Sequence, residues 1–320
     1  MHVLSDLRDG SQGVPELRGG VGSAAAAHHR SRRDRTPSAG PAAPQDLGDR
    51  AMSATALPSG AVAHWFPGKP GASTLVVLPA LGVTARHYQR FAETAQAQGF
   101  HVLTLDYRGQ GDSALVISRG TQFGYADLVT GDLTEAIAWA REQEADPLLV
   151  VGHSLGGQLA AALESMSPGE FDGLVLVAAG TPHWRAFTGR GRLVPLILPT
   201  VFAVTARVRG VFDGRRFDFG RQSARLIGDW ARMARTGSWS TTPAVLTSRT
   251  FPILAVSFGS DQLAPASAVD ELVRLFPGAT TTRTHFGEPA GHVEWMKRPE
   301  VVVDALNRWV VQIFAQDNRG

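Results

Sequence analysis

Cysteine is absent from the 320-residue sequence. Disulfide bonds, thiolate nucleophiles and cysteine-ligated zinc or iron–sulfur centres are therefore excluded. Charge is also scarce, since 19% of the residues are charged and the net charge is +2. This balance does not indicate a nucleic-acid-binding protein, which would carry a concentrated basic surface with interleaved aromatic residues. With 43% hydrophobic residues, the chain can nevertheless bury a sizeable core.

The N-terminal region lacks the apolar segment of a secretory signal, because its apolar run, residues 24–27, is far too short. We therefore expect a soluble, cytoplasmic protein. Residues 1–52 are rich in Gly, Ala, Ser, Pro and Arg, and we predict a disordered tail because they cannot bury enough apolar surface to offset the cost of ordering. The sequence contains no P-loop and no H-E-x-x-H motif, and we expect neither a cofactor nor a metal.

Strand-like and helix-like segments alternate through the rest of the chain. Apolar runs at residues 73–80, 100–107, 147–151, 172–179 and 252–258 have the near-continuous Val/Leu content of strands that are buried on both faces. This alternation predicts an α/β fold, with a mostly parallel sheet that is covered by helices on both faces. We assign residues 53–180 and 251–320 to the two parts of this core.

Residues 181–250 interrupt the alternation and predict a helical cap inserted between two strands. They contain twelve arginines, three aspartates, three tryptophans and no lysine. The apolar run at residues 193–204 is broken by two prolines and is too short to span a bilayer, so we expect no stable membrane insertion.

Two functions for the cap stay open beside the simpler one, in which its arginines lie on solvated helix faces. The arginines could attract an anionic substrate, and the apolar run could line an acyl pocket or touch a membrane surface. The candidate substrate-binding residues are Trp184, Arg215 and Arg216.

The segment LLVVGHSLGGQLAAAL, residues 148–163, passes from an apolar strand through Gly-x-Ser-x-Gly into a small-residue helix. A serine in such a turn sits on a strained bend that exposes its hydroxyl, and the two glycines avoid collisions with the neighbouring strand and helix. Ser154 also stands at a helix N-terminus, where backbone N–H groups favour developing negative charge. The context favours a nucleophile over a plain strand-to-helix turn.

A serine nucleophile needs a base, and the base needs an orienting acid. The segment SFGSDQLAP puts Asp261 at the carboxyl end of a strand, where catalytic groups gather in open α/β sheets. The later loop EPAGH is flexible enough for His292 to reach Ser154. We interpret His285 and His153 as structural residues.

An oxyanion hole requires two donors that point at the developing negative charge. The residue after the nucleophile supplies one, the backbone N–H of Leu155. The loop after an earlier strand, in VVLPALGVT, supplies the other, and the backbone N–H of Leu81 is our candidate.

By these motifs the chain resembles the α/β-hydrolase superfamily over residues 73–314, and within it the esterase and lipase-like bacterial group with LPALGVTARHYQRFA, LDYRGQGDS and VGHSLGGQ. The resemblance implies an α/β-hydrolase fold with an inserted cap and a serine nucleophile. Pro79-Ala80 stands where members of the superfamily often carry His-Gly.

The expected function is therefore a serine hydrolase that acts on a small-molecule carboxylic ester, anionic or acyl-chain-bearing, through an acyl-enzyme intermediate. Amidase, thioesterase and acyltransferase chemistry stay open because they use the same triad. A hydrolase fold that binds a ligand without turning it over is a further alternative. Nothing in the sequence indicates the oligomeric state.

Overall fold

A computed structural model describes residues 53–143, 146–215, 220–239, 249–287 and 290–314. The predicted disordered tail at residues 1–52 lies outside the described residues, and so does Arg216.

The described residues form a large sheet and a small one. The strands are β1 (Ser53–Ala56), β2 (Val62–Phe66), β3 (Thr74–Leu78), β4 (His101–Asp106), β5 (Leu148–His153), β6 (Gly173–Val177), β7 (Val211–Asp213), β8 (Arg221–Ser223), β9 (Pro252–Phe258) and β10 (Thr280–Phe286). The large sheet has the order β1-β2-β4-β3-β5-β6-β9-β10. In this order, each strand from β4 onward pairs in parallel with the next one. This confirms the predicted mostly parallel sheet.

The two N-terminal strands were not predicted from the sequence. β1 pairs with β2, and β2 pairs with β4, both antiparallel. The residues of β1 are mostly exposed and have no apolar run to indicate a strand.

Helices cover both faces of the sheet, as predicted. They are α1 (Gln89–Ala97), α2 (Tyr125–Asp127), α3 (Thr134–Glu142), α4 (Leu155–Met166), α5 (Leu193–Arg209), α6 (Ala224–Thr236), α7 (Ala266–Val273) and α8 (Glu300–Phe314), with a π-helical stretch at Leu128–Leu133 between α2 and α3.

Alternate residues of each strand point to opposite faces of the sheet, so two apolar clusters form. Val76 of β3 belongs to the cluster that contains Leu159 of α4. Its neighbour Val77 belongs to the other cluster, with Phe91 of α1 and Leu306 of α8. Both faces of β3 are therefore buried, which explains its continuous apolar sequence.

The segment between β6 and β9 contains α5, α6 and the antiparallel pair β7 and β8. It leaves the sheet at the carboxyl end of β6, and β5 ends at the same edge because β5 and β6 are parallel. The segment is thus helical with a short hairpin, and α5 packs against both α6 and β7.

The apolar run in this segment is part of a helical segment that is longer than the run itself. The run at residues 193–204 lies in a longer helical segment, Gly189–Arg209, whose 21 residues are long and apolar enough by length and composition to cross a membrane. Pro195 lies in the first turn of α5, where its missing N–H breaks no helical hydrogen bond, and the helix also continues through Pro199. The prolines therefore do not end the helix.

A buried ion pair joins α4 to the start of β9. The Glu164 side chain is fully buried, and its carboxylate accepts hydrogen bonds from Arg249 Nη1 at 3.1 and 3.2 Å. Arg249 Nη2 also donates to the carbonyl of Phe171 at 3.0 Å. Burial raises the pKa of Glu164 more than the nearby Arg249 and the Gly169 N–H lower it, so the carboxylate depends on its partners to stay charged.

We expect Arg249→Ala to lower the free energy of unfolding by about 2–4 kcal/mol, because it leaves a buried carboxylate without its cation. Urea denaturation at neutral pH measures this change. Adding Glu164→Gln should recover part of the loss, since an uncharged amide is cheaper to bury. Arg86→Ala, at an exposed arginine, is the control and should cost less than about 0.5 kcal/mol. Equal losses in the two arginine variants would contradict the assigned pair.

Candidate active site

Ser154 lies on a strained turn between β5 and α4. Its φ is 51° and its ψ is −112°, a left-handed conformation that residues other than glycine rarely adopt. Its backbone N–H donates to the carbonyl of Val177 in the adjacent strand β6 at 3.3 Å. The turn therefore presents the serine side chain at the edge where the parallel strands end.

Close packing around the turn explains its glycines. A Cβ atom on Gly152 would lie 2.4 Å from Cα of Gly157, and one on Gly156 would lie 2.1 Å from the carbonyl oxygen of Leu78. These distances are far inside van der Waals contact. The close approach at Gly156 also places the end of β3 directly beside the turn that carries Ser154.

Asp261 occupies the loop that follows β9, and it is 4% exposed. Its Oδ1 accepts hydrogen bonds from the backbone N–H groups of Leu263 and Ala264, both at 2.8 Å. Its Oδ2 accepts from Nδ1 of His292 at 2.9 Å. Burial alone would raise the pKa of Asp261, but His292 and the two N–H donors outweigh it, so the pKa lies below its ordinary value. The carboxylate is therefore ionised and held in a fixed orientation.

His292 follows the loop after β10 and is 6% exposed. Because an ionised carboxylate only accepts hydrogen bonds, Nδ1 must carry the proton, and Nε2 of the neutral ring is left as the acceptor. The carbonyl of His292 accepts a hydrogen bond from Nε2 of His153 at 2.9 Å. His153 directly precedes Ser154, so the His292 loop is fastened to the turn that carries the serine.

A direct hydrogen bond from the Ser154 hydroxyl to His292 is not formed within the part of the chain that the structure describes. Catalytic hydrogen bonds are often long without substrate and tighten when it binds. The structure thus brings the predicted acid and base together, and it connects His292 to the turn of the predicted nucleophile through His153.

One predicted oxyanion donor, Leu155, follows Ser154 directly, and the other, Leu81, lies in the loop after β3, the strand that ends beside the turn. Leu155 is the first residue of α4, where a backbone N–H has no acceptor within the helix. Pro79 has no N–H, and the N–H of Ala80 donates to Tyr88 Oη at 2.9 Å. Leu81 follows in a turn that Val83 N–H closes onto the Ala80 carbonyl at 3.1 Å. The hydrogen bond that closes this turn does not use the N–H of Leu81.

A hydrogen-bonded chain connects these loops. Tyr88 Oη accepts from the N–H of Ala80 and its hydroxyl lies 2.7 Å from Nδ1 of His153. Since Nε2 of His153 donates to the His292 carbonyl, Nδ1 of a neutral ring accepts the Tyr88 proton. Tyr88 is fully buried, and burial raises its pKa. The chain Ala80, Tyr88, His153, His292 therefore ties the loop after β3, the turn of Ser154 and the loop of His292 to one another.

The sequence does not predict Tyr88 as a residue of this site. His153 was interpreted as a structural residue, and its ring bonds fit that interpretation. His285 is likewise engaged, with Nδ1 lying 2.9 Å from Ser257 Oγ.

The candidate substrate-binding residues are less closely tied to this site. Trp184 is half-buried in a 3₁₀ turn after β6, and the guanidinium groups of Arg185 and Arg192 lie 5.3 and 5.9 Å from its ring centroid. The exposed Arg215 donates from Nε to Asp213 at 2.8 Å. The charge of Arg215 is therefore already paired within the cap.

A second polar cluster supports the site from outside. His64 Nε2 lies 3.0 Å from Asp106 Oδ2 and 3.8 Å from Asp112 Oδ2. Asp106 also accepts from the backbone N–H groups of Ala85 at 2.7 Å and Asp112 at 3.1 Å. The hydrogen bond to Asp106 raises the pKa of His64. Both oxygens of Asp106 are thus engaged by protein donors, and the cluster fastens the loop after β4 to the segment that precedes Tyr88.

Comparison with known proteins supports the same fold. A family model described as serine aminopeptidase, S33, matches residues 70–212, a range that includes Ser154 and ends before Asp261.

Similar solved structures cover most of the chain. An esterase from Exiguobacterium antarcticum has a TM-score of 0.55 at 15% identity, over 81% of this chain and 99% of the esterase. A carboxylesterase from Nitrososphaera gargenis has a TM-score of 0.56 at 14% identity, over 82% and 100% of the two chains. A bromoperoxidase from Bacillus anthracis has a TM-score of 0.52 at 13% identity, over 81% and 99%. At these identities the likeness establishes the fold, and it confirms the fold that the sequence resemblance implies.

The state of His153 gives a pH-dependent prediction. Burial, and then the nearby His292, lower the pKa of His153 from 6.5 to about 3. Protonation of His153 therefore favours the unfolded state. The stability that neutral His153 contributes is present above pH 6.5 and is lost as the pH falls toward about 3.

We expect the free energy of unfolding of the wild type to fall more steeply than that of His153→Asn, by about 1.4 kcal/mol per pH unit between about pH 6 and pH 4. Urea denaturation across this range measures both slopes. Because other acidic groups titrate equally in the two proteins, the difference isolates His153. Parallel slopes would mean that the folded protein tolerates a charged His153.

Proposed function

We propose that this chain, a member of the α/β-hydrolase superfamily, is a serine hydrolase that cleaves carboxylic esters through an acyl-enzyme intermediate. The observation that carries the proposal is the buried Asp261–His292 hydrogen bond of 2.9 Å, fastened through His153 to the strained turn of Ser154. A carboxylate, an imidazole and an exposed hydroxyl in this order perform acyl transfer on several unrelated folds.

In the first step, Nε2 of His292 takes the Ser154 hydroxyl proton as Oγ bonds to the ester carbonyl carbon. The carbonyl oxygen becomes an oxyanion, which the N–H groups of Leu81 and Leu155 stabilise. The tetrahedral intermediate collapses, the bond to the alcohol oxygen breaks, and His292 returns the proton to the departing alcohol. Throughout, ionised Asp261 stabilises the charged imidazolium and holds its orientation.

In the second step, water attacks the acyl group on Ser154. His292 takes a proton from that water, and the same N–H groups hold the second oxyanion. Collapse breaks the bond to Oγ, releases the carboxylic acid and returns the proton to Ser154. The cycle needs no further reactant, so an ester and water are sufficient substrates.

Peptide-bond hydrolysis is a second candidate, because the matching family model is described as a serine aminopeptidase. The same steps cleave an amide, with an amine as the leaving group. For the ester substrate we propose an anionic or acyl-chain-bearing molecule, since the cap is rich in arginine and apolar residues. In that proposal Trp184 contacts the substrate, whereas Arg215 would have to exchange its bond with Asp213 for one with the substrate.

We expect the wild type to react with a fluorophosphonate probe and to hydrolyse p-nitrophenyl acetate, and Ser154→Ala to do neither. The loss in kcat should be at least about 10³-fold, because removal of the nucleophile leaves only binding and oxyanion contributions. The kcat of Asp261→Asn should be about 10³–10⁴-fold lower than that of the wild type, because a neutral amide no longer fixes the tautomer of His292 or stabilises its imidazolium.

The control is Ser167→Ala, at an exposed serine that follows the other end of α4, and it should match the wild type. A folded wild type that neither reacts with the probe nor hydrolyses the ester would favour the ligand-binding alternative.

Ester and amide substrates separate the two candidates. We expect kcat/KM for p-nitrophenyl butyrate to exceed that for alanine p-nitroanilide by at least about 10²-fold, since an amine is a poorer leaving group than a phenolate and needs a site built to protonate it. Steady-state kinetics on both substrates, with Ser154→Ala as the blank, measure this ratio. A ratio that favours the anilide would replace the ester proposal with an aminopeptidase.

A further inference from the structure

The outer face of α5 is an unusually continuous apolar surface. Five large apolar side chains on this helix are more than half exposed, with exposed fractions of 53%, 56%, 52%, 59% and 80%. They are Leu193, Ile197, Val201, Val204 and Val208. Spacings of four, four, three and four residues keep all five on one side of an α-helix. We call this set the α5 stripe.

The opposite side of α5 is buried in the fold. Its buried residues are Pro195, Pro199, Phe202 and Ala206, which follow the same helical periodicity half a turn away. Phe202 packs on Phe212 of β7, with ring centroids 4.5 Å apart. The helix is thus held against the protein along its length, so it presents the α5 stripe outward without being free to leave the fold.

Positive charge flanks the α5 stripe at both ends. Arg190 and Arg192 precede it, Arg207 and Arg209 end it, and all four arginines are exposed. The segment Gly189–Arg209 contains no acidic residue. An apolar face between arginines complements a surface that is apolar inside and anionic at its boundary, which is the arrangement of a phospholipid leaflet with acidic headgroups.

The two threonine hydroxyls within the helix already have hydrogen-bond acceptors. Thr200 Oγ1 donates to the carbonyl of Leu196 at 2.6 Å, and Thr205 Oγ1 donates to the carbonyl of Val201 at 2.8 Å. Neither hydroxyl needs water as an acceptor. Burial of this face in an apolar phase therefore leaves no threonine donor unpaired.

We propose that the α5 stripe docks the cap onto anionic phospholipid membranes, with α5 lying in the plane of the interface. The helix lies on the membrane instead of spanning it, because one side of the helix is packed against β7 and α6. The apolar residues enter the boundary of the acyl chains, and the arginines at both ends pair with lipid phosphates. This inference does not depend on the proposed ester hydrolysis.

Vesicle flotation with the full chain carrying Ser154→Ala tests the proposal, and that background prevents hydrolysis of the lipids. We expect flotation with vesicles of phosphatidylcholine and phosphatidylglycerol, much less with phosphatidylcholine alone, and weakening by salt. A variant with Ile197→Gln, Val201→Gln and Val204→Gln should bind at least about tenfold more weakly, because it removes apolar contact while glutamine preserves the helix. The double variant Arg207→Ala with Arg209→Ala should bind less to the vesicles that contain phosphatidylglycerol, and its binding to vesicles of phosphatidylcholine should not change.

The matched control is Val301→Gln with Val311→Gln, which changes two exposed valines on α8. It should float like the parent, and circular dichroism should show all variants folded. Flotation unchanged by the glutamine substitutions in α5 would overturn the proposal. So would a parent protein that does not float but forms a dimer that the same substitutions dissociate, since the α5 stripe would then bind a second copy of this chain.

Discussion

The close approach of the β5–α4 turn to β3 is the constraint on which the candidate site depends. Only a glycine can stand at residue 156, because its Cβ position lies 2.1 Å from the carbonyl oxygen of Leu78. This contact fixes the turn against the strand end and holds Ser154 at a φ of 51°, a conformation that costs of order 1–3 kcal/mol. The surrounding packing must hold the serine in that conformation, and in doing so it sets the position of the hydroxyl. The same contact brings the loop after β3 to the turn of Ser154, so one packing constraint bears on both the serine and the candidate oxyanion donor Leu81.

His153 extends this constraint to the base. Its two ring nitrogens face different loops, with Tyr88 on one side and the carbonyl of His292 on the other. A charged His153 could not accept the Tyr88 proton, so the chain of hydrogen bonds requires the neutral ring that burial favours. Burial thus lowers the proton affinity of the histidine that organises the site, while His292 acquires its orientation from an ionised acid. Two adjacent imidazoles acquire different roles because one faces a carboxylate and the other faces a hydroxyl and a carbonyl.

The sequence was most informative where a local pattern has a single structural cause. Strands such as β3 are buried on both faces and therefore have a continuous apolar sequence, whereas β1 is mostly exposed and leaves no such pattern. Ser154, Asp261 and His292 could be singled out because the chemistry expected of them requires particular residue types in a particular order along the fold, and the structure pairs Asp261 with His292. Tyr88 could not, because its partner His153 is 65 residues away and a buried hydrogen bond between distant positions has no local signal. The two prolines in the apolar run at residues 193–204 do not mark the end of α5, and a proline in the first turn, such as Pro195, is compatible with a helix.

The two sides of α5 show how folding and surface requirements separate within one helix. Phe202 and its buried neighbours pack the helix on β7 and α6, whereas the valines on the other side are more than half exposed. Exposed apolar surface lowers solubility and promotes association, and isolated exposed valines are ordinary, but a continuous row is not. Polar residues at those positions would preserve the helix and the inner packing. The composition of the outer face is therefore better explained by a surface that it contacts than by the stability of the cap.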